Sequence, residues 1–523
     1  KMDKNFEEKL RIIPYLLVIL FFSILYLFKL DKIPVHLNQD ELMFSLNGYS
    51  IAKTGHDYYG IFLPFYFWHL GNFWATPVVV YLTALILKFL PLGEVSIRIP
   101  SVLIAIVSTI LVMFLVKKIF NSQKLALLSG ILFATTPVLF INSRLLLDNI
   151  YPILFVLLWL FFLRKFVNSN SKIDIFLSGI TLGMGIHSYH AAKIMMPIYF
   201  VASIIFLFKK LWSKKINFVV FVIGFLIPII LFIPWITKHP DTLFNQVSYI
   251  SSIDTTIDVA KGYLGVFNFK RLGSFVSNYF TYLGPKILFV SGDRSLIHST
   301  GKAGTFLFPV SFLIAFGVLY SVFNKKERFS KLVLFGFLTY PIAPAIVNDP
   351  ERISRGLIVI PFAILLSMYG VNFILKSKEQ LLRSFFYGIL IISFLQFGLF
   401  LSDYFTSYRS RSYSWFNYDI GGAFESAIKS TKVREVKAVY LDSDIPFIDL
   451  YSQFYQIKFR TNFLSQRSYD FNTEDFSKFP AKSLVMVRSD HVLGKRDKYG
   501  FFEKIETIRE PDGNESFYIF YRD

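Results

Sequence analysis

Long apolar runs alternate with short basic clusters over the first three quarters of the chain, and that alternation predicts most of the fold. The runs lie near 12–30, 97–116, 125–142, 150–167, 173–190, 194–208, 216–236, 306–323, 331–347, 356–375 and 384–401. Each is about as long as a helix needs to be to cross the ~30 Å hydrocarbon core of a bilayer. Basic clusters follow every second run: Lys117/Lys118/Lys124, Arg164/Lys165/Lys172, Lys209/Lys210/Lys214/Lys215, Lys325/Lys326/Arg328/Lys331 and Lys376/Lys378/Arg383. Lys and Arg collect in the cytoplasmic loops of membrane proteins, so these clusters and the basic start Lys1–Arg11 share the inner side. The run at 12–30 is too long for a signal-peptide core and reads as the first span, N-terminus inside. The pattern predicts an α-helical polytopic membrane protein with about eleven spanning helices.

One run breaks the scheme. Residues 74–92 are apolar but interrupted by Pro77, Lys88 and Pro91. Were they to cross, the clusters at 117–124 and 164–172 would lie outside. The segment therefore reads as a helix in or dipping into the outer interface, with a twelfth span as the alternative. The long loops 31–96 and 237–305, and the turn 348–355, then face outward. Residues 1–401 form the membrane unit, and 402–523 a small α/β domain on the outer side. Its expected helices lie near 421–430 and 446–456, and its strands near 436–442, 483–488 and 501–508. The last pairs with 516–521 through Pro511-Asp512-Gly513-Asn514.

Composition changes this picture in two places. The net charge of +19 would suit a nucleic-acid binder, but residues 402–523 contain 18 basic and 18 acidic residues. The excess lies wholly in the membrane unit, which argues against nucleic acid and for membrane lipid as the charged partner. The chain has no cysteine, so thiolate metal sites, cysteine nucleophiles and disulfides are excluded.

Candidate chemistry gathers on the predicted outer face. Asp40 and Glu41 open the first loop, where an acid before an apolar helix is also a good N-cap. Tyr49, His56, Tyr58, Tyr59, Tyr66, Trp68, His69 and Trp74 follow; they suit a sugar site, and also an interfacial aromatic belt, which is the commoner cause of such density. Arg144 and Asp148 bracket an apolar triplet, as a snorkelling pair closing a hairpin would. His187 and His190, spaced for one helical face, lie with Tyr189 just before Lys193; they allow a divalent metal if a carboxylate from another loop joins them, or polar contacts to a headgroup. Asp293-Arg294 and His298 lie in the third loop. Arg352 and Arg355, one helical turn apart, suit forked hydrogen bonds to phosphate or to lipid headgroups.

The order of these motifs resembles the GT-C superfamily of polytopic glycosyltransferases, in its protein-mannosyltransferase and aminoarabinose-transferase-like branch. The resemblance runs over about 10–375, through Asp40-Glu41, Arg98-Ile99-Pro100-Ser101, Ser143-Arg144-Leu145…Asp148 and Tyr189-His190-Ala191-Ala192-Lys193. It implies transfer of a sugar from a polyprenyl-phosphate donor to a glycan, lipid or protein acceptor outside the membrane. It also implies that Asp40 is the catalytic base, that Glu41 assists it, that Asp148 is the second-loop acid, and that Asp293-Arg294…His298 lies near the active site. A single displacement at the sugar C1 would invert the anomeric configuration. No cofactor is demanded if Arg, Lys or His stabilise the departing phosphate, although His and carboxylates together could hold a divalent metal. Two other classes remain: a lipid-linked glycan transporter or flippase, which would place its charges near the midplane, and a non-catalytic cell-envelope assembly protein with the C-terminal domain as its binding module.

Overall fold

A computed structural model of the chain describes residues 4–242, 269–347, 349–462, 466–469, 479–492 and 502–523. Residues 243–268 of the predicted loop 237–305, and Asn348 of the predicted turn, lie outside them. Every apolar run coincides with a helix or a broken helix. Among the described residues, five helices are long and apolar enough to cross a membrane: Glu94–Phe120, Asp148–Ser169, Lys215–Lys238, Val359–Lys376 and Gln380–Phe405. Shorter apolar helices, Ile12–Leu27, Gln123–Ala134, Ala192–Phe206 and Val310–Phe323 among them, accompany these. Large apolar side chains cover the outside of Gln380–Phe405, with Leu381 82% and Leu399 72% exposed. Such a surface is stable in lipid and not in water, and the chain is a membrane protein.

Close backbone approach holds the bundle where there is no water to drive association. A Cβ at Gly179 or Gly183 of Lys172–Gly185 would collide with the carbonyl oxygens of Phe221 and Phe225, and one at Gly224 with that of Phe176. The same lock joins Gly317 of Val310–Phe323 to Leu366, and Gly370 of Val359–Lys376 to Leu313. The helix within 74–92 runs only over Pro77–Leu87, 11 residues, or about 16 Å, half of a hydrocarbon core.

The segment joining the first helix to the helix Gln39–Thr54 is irregular and, at Leu30 and from Ile33 to Asn38, largely buried, so its carbonyl groups need donors. Two buried arginines supply them. Arg98 donates to the carbonyls of Leu30, Pro34 and His36. Arg144 donates to those of Tyr26, Phe28, Lys29 and Ile33. A two-stranded hairpin follows, β1 (Phe67–His69) against β2 (Phe73–Ala75), in a register that pairs His69 with Phe73.

The C-terminal part forms a five-stranded sheet from β3 (Ala438–Asp442), β4 (Gln466–Tyr469), β5 (Ser483–Arg488), β6 (Glu503–Arg509) and β7 (Glu515–Arg522), in the order β4-β3-β5-β7-β6. β3 runs parallel to β4 and β5, and β7 antiparallel to β5 and β6. β3 is buried at all five positions, which is why it reads as an unbroken apolar run rather than an alternating one. Helices Ile420–Val433 and Ile448–Phe459 fall where the sequence predicts them; β4 was not predicted. The sheet unit is fastened to the first loop: Tyr451 Oη donates to the Leu37 carbonyl at 2.9 Å, Asn417 Nδ2 to Gln39 Oε1 at 2.9 Å, and Lys458 pairs with Glu94 at 2.7 Å.

Candidate active site

A cavity of about 300 Å³ brings together Asp40, Asp148, Tyr189, His190, His298, Arg352 and Arg355. They come from five separate stretches of the chain. Phe44, His69, Phe73, Leu147, Asn149 and Ser354 complete the wall.

Helix phase divides the two adjacent acids. Asn38 caps Gln39–Thr54 in a capping box: its side chain accepts from the Glu41 N–H at 2.9 Å, and the Glu41 carboxylate accepts from the Asn38 N–H at 3.4 Å. Successive helical residues point about 100° apart, so Glu41 turns inward while Asp40 turns to the cavity. Glu41 is fully buried, held by Arg98 Nε at 3.0 Å and by the Leu146 N–H at 3.0 Å. This corrects the expectation that Glu41 assists at the reacting centre: its oxygens are occupied in holding the loop. Asp40 is 42% exposed and accepts one hydrogen bond, from His69 Nε2 at 2.8 Å. The hairpin sets that contact, and Phe44 and Phe73 flank the buried imidazole at 4.5 and 5.2 Å. The first-loop aromatics pointed to His69 only as one of many; its partnership with Asp40 depends on an unpredicted hairpin.

Asp148 opens a short 3₁₀ turn and accepts from Thr76 Oγ1 at 3.0 Å. Asp349 gathers the two arginines. Its carboxylate accepts from Arg352 Nε at 3.2 Å and Arg355 Nη2 at 3.0 Å, and its carbonyl from Arg355 Nη1 at 3.2 Å. Two guanidiniums sharing one carboxylate leave a net positive charge at the cavity, with further N–H donors for an anion. His298 Nδ1 lies 2.7 Å from Asn142 Oδ1, whose amide partner Asn149 lines the cavity. Asn142 Oδ1 can only accept, so Nδ1 carries the proton. Burial lowers the His298 pKa from its ordinary value, keeping the ring neutral with Nε2 as an acceptor.

Several expectations change in the same way. Arg144 is fully buried and spends its donors on four carbonyls and Tyr404 Oη, so it is not available to a substrate. Asp293 is buried and accepts from the main-chain N–H groups of Ser295 at 2.8 Å and Ser354 at 2.9 Å, bracing the arginine turn from behind. Arg294 is exposed; its main-chain N–H, not its side chain, ties it to Glu351, at 2.8 Å. The Lys193 ammonium sits over the Tyr66 ring at 4.8 Å and lies close enough to Asp148 for the two charges to interact. His187 and His190 do not share a helical face, because the helix ends at Gly185 and the next begins at Ala192. His187 is buried against Tyr66 Oη at 3.0 Å and the Pro228 carbonyl at 3.3 Å, and the two-His metal reading fails. Among the described residues, three metal-ligating groups converge only in the sheet domain, at Asp442, Asp444 and His491.

Comparison with known proteins bears on the fold. The family model described as dolichyl-phosphate-mannose-protein mannosyltransferase matches residues 75–237. No curated protein matches the chain. Among solved structures, ArnT from Cupriavidus metallidurans, bound to undecaprenyl phosphate, is 11% identical with a TM-score of 0.53, over 97% of this chain and 98% of its own. An oligosaccharyltransferase from Archaeoglobus fulgidus, tethered to an acceptor peptide, is 12% identical with a TM-score of 0.50, over 98% of this chain and 74% of its own. The match thus extends beyond the membrane helices to nearly the whole chain, and the protein has the fold of the GT-C glycosyltransferase superfamily.

Proposed function

We propose that this protein is an inverting glycosyltransferase that moves a sugar from a polyprenyl-phosphate donor to an acceptor hydroxyl on the outer face of the membrane. The observation that carries the reading is the shared cavity, lined by the carboxylates of Asp40 and Asp148 and by the guanidiniums of Arg352 and Arg355. The family match and the fold support glycosyltransferase activity in general. Undecaprenyl phosphate in the similar ArnT structure supports the donor class.

In this mechanism Asp40 accepts the proton of the acceptor hydroxyl as its oxygen attacks C1. The C1–O bond to the donor phosphate breaks, and the polyprenyl phosphate leaves with the electron pair. Arg352 and Arg355 bind the phosphate and stabilise the charge it gains. His69 is a positioning residue: its Nε2–H fixes one Asp40 oxygen and leaves the other for the acceptor. Phe44, Phe73 and Tyr189 offer ring faces to the sugar, and neutral His298 accepts from a sugar hydroxyl. Asp148, hydrogen-bonded to Thr76, is the second acid facing the sugar.

The test is to incubate the purified protein with a panel of polyprenyl-phosphate sugars and candidate glycan, lipid and peptide acceptors, with mass spectrometry of the products. The expected product is an acceptor heavier by one sugar, with its anomeric centre inverted by NMR. Retention at C1, or free sugar formed without transfer, would contradict the reading.

A further inference from the structure

At the end of the bundle away from the candidate active site lies a second cavity, of about 560 Å³. The helix that begins beside Asp148 reaches it at Arg164, 16 residues and about 24 Å further on. Five cations line it, Arg164, Lys209, Lys210, Lys326 and Arg328, against one acid, Glu327. They come from three places that are distant in sequence: the end of Tyr151–Ser169, the short helix Phe208–Trp212, and the link from Val310–Phe323 to Arg328–Thr339.

Unlike scattered loop lysines, these cations surround a concavity with a built floor. Arg164 is largely buried and lies over the Phe329 ring at 5.4 Å. Glu327 reaches its Nη1 only at 3.6 Å, too far for a hydrogen bond. The Arg164 Nε–H is buried and has no acceptor among the described residues. A buried guanidinium N–H without an acceptor is costly, and an anion in the cavity supplies one.

The surroundings indicate what carries that anion. Phe208 and Trp212 stack on each other at 5.3 Å and are 49% and 46% exposed, on the same turn as Lys209 and Lys210. Phe323, 77% exposed, ends the helix just before Lys326. A cationic concavity edged by exposed aromatic and apolar surface matches the headgroup level of a bilayer, where basic pockets between helices hold lipid phosphates.

We infer that this cavity is a binding site for the phosphate headgroup of an anionic membrane lipid, in the leaflet opposite the candidate active site. The test uses the full-length protein in detergent, delipidated and titrated with phosphatidylglycerol or with phosphatidylcholine of the same chains, and read by native mass spectrometry. Phosphatidylglycerol should bind at least about tenfold more tightly. Arg164→Gln, and separately the pair Lys210→Gln with Arg328→Gln, should abolish the preference while the protein remains monodisperse. Lys378→Gln, an exposed cation outside the cavity, should leave it unchanged. Equal affinity for the two lipids, or a preference that survives both variants, would overturn the inference. So would inorganic phosphate competing at the affinity of the lipid, which would make this a site for a soluble ligand.

Discussion

At the scale of single residues, charges of similar appearance in the sequence have opposite fates. Asp40 and Glu41 are neighbours, yet one faces the cavity and the other closes a buried ion pair. Asn38 followed three residues later by Glu41 is a capping-box spacing, so this division is legible in the sequence. The fate of Arg144 was not legible: its partners are carbonyls more than a hundred residues away. Because Arg352 and Arg355 make charge-assisted contacts to the phosphate, Arg355→Gln should weaken polyprenyl-phosphate binding by about 10- to 100-fold, as a direct titration would show. His69→Gln should lower kcat by up to about 10²-fold with little change in KM, since it misplaces the base without touching the substrate. A matched rise in KM would instead put His69 in substrate contact. His298 gives a pH dependence with a definite sign. Its folded-state pKa is lowered by burial, so the unfolded chain takes up the proton first, near the ordinary value of about 6.5. Its share of stability is complete above that pH and falls away below it. Unfolding followed from pH 7.5 to 5 should show a decline that is smaller in His298→Asn.

At the scale of elements, the apolar periodicity carried the helices because bilayer thickness fixes their length. It also carried the two soluble helices and four of the five strands in the sheet domain. The two-stranded hairpin and β4 escaped: strands of three and four residues are too short for alternation to register. The two-His reading failed because it assumed that the helix continues through 187–190. What the sequence left invisible is the work of Arg98 and Arg144, which satisfy seven carbonyls between Tyr26 and His36 and so set the start of the Asp40 helix. Arg98→Met strands Glu41 as an unpaired buried charge and should cost about 3–5 kcal/mol, seen as a lower unfolding temperature in detergent. Glu41→Gln should lower stability while the folded fraction keeps most of its turnover; loss of turnover at unchanged stability would return Glu41 to the chemistry.

At the scale of the whole molecule, the account requires an outward-facing cavity and an inward-facing basic pocket, with the membrane between them. The chain contains no cysteine, so single introduced thiols report sidedness without background. Arg294→Cys should react with a membrane-impermeant maleimide in intact cells, and Lys378→Cys only after permeabilisation; both positions are exposed. The reverse pattern would turn the protein over and move the reaction to the cytoplasmic face. The fold holds a carboxylate, a guanidinium pair and a neutral imidazole in one cavity, and their joint use is the central claim. Its most direct test is turnover by purified Asp40→Asn beside the wild type, with a polyprenyl-phosphate sugar and an acceptor that the wild type uses. Loss of the base should lower kcat by about 10²–10⁴-fold while polyprenyl-phosphate binding and insertion are retained; an Asp40→Asn enzyme that turns over at the wild-type rate would contradict the account.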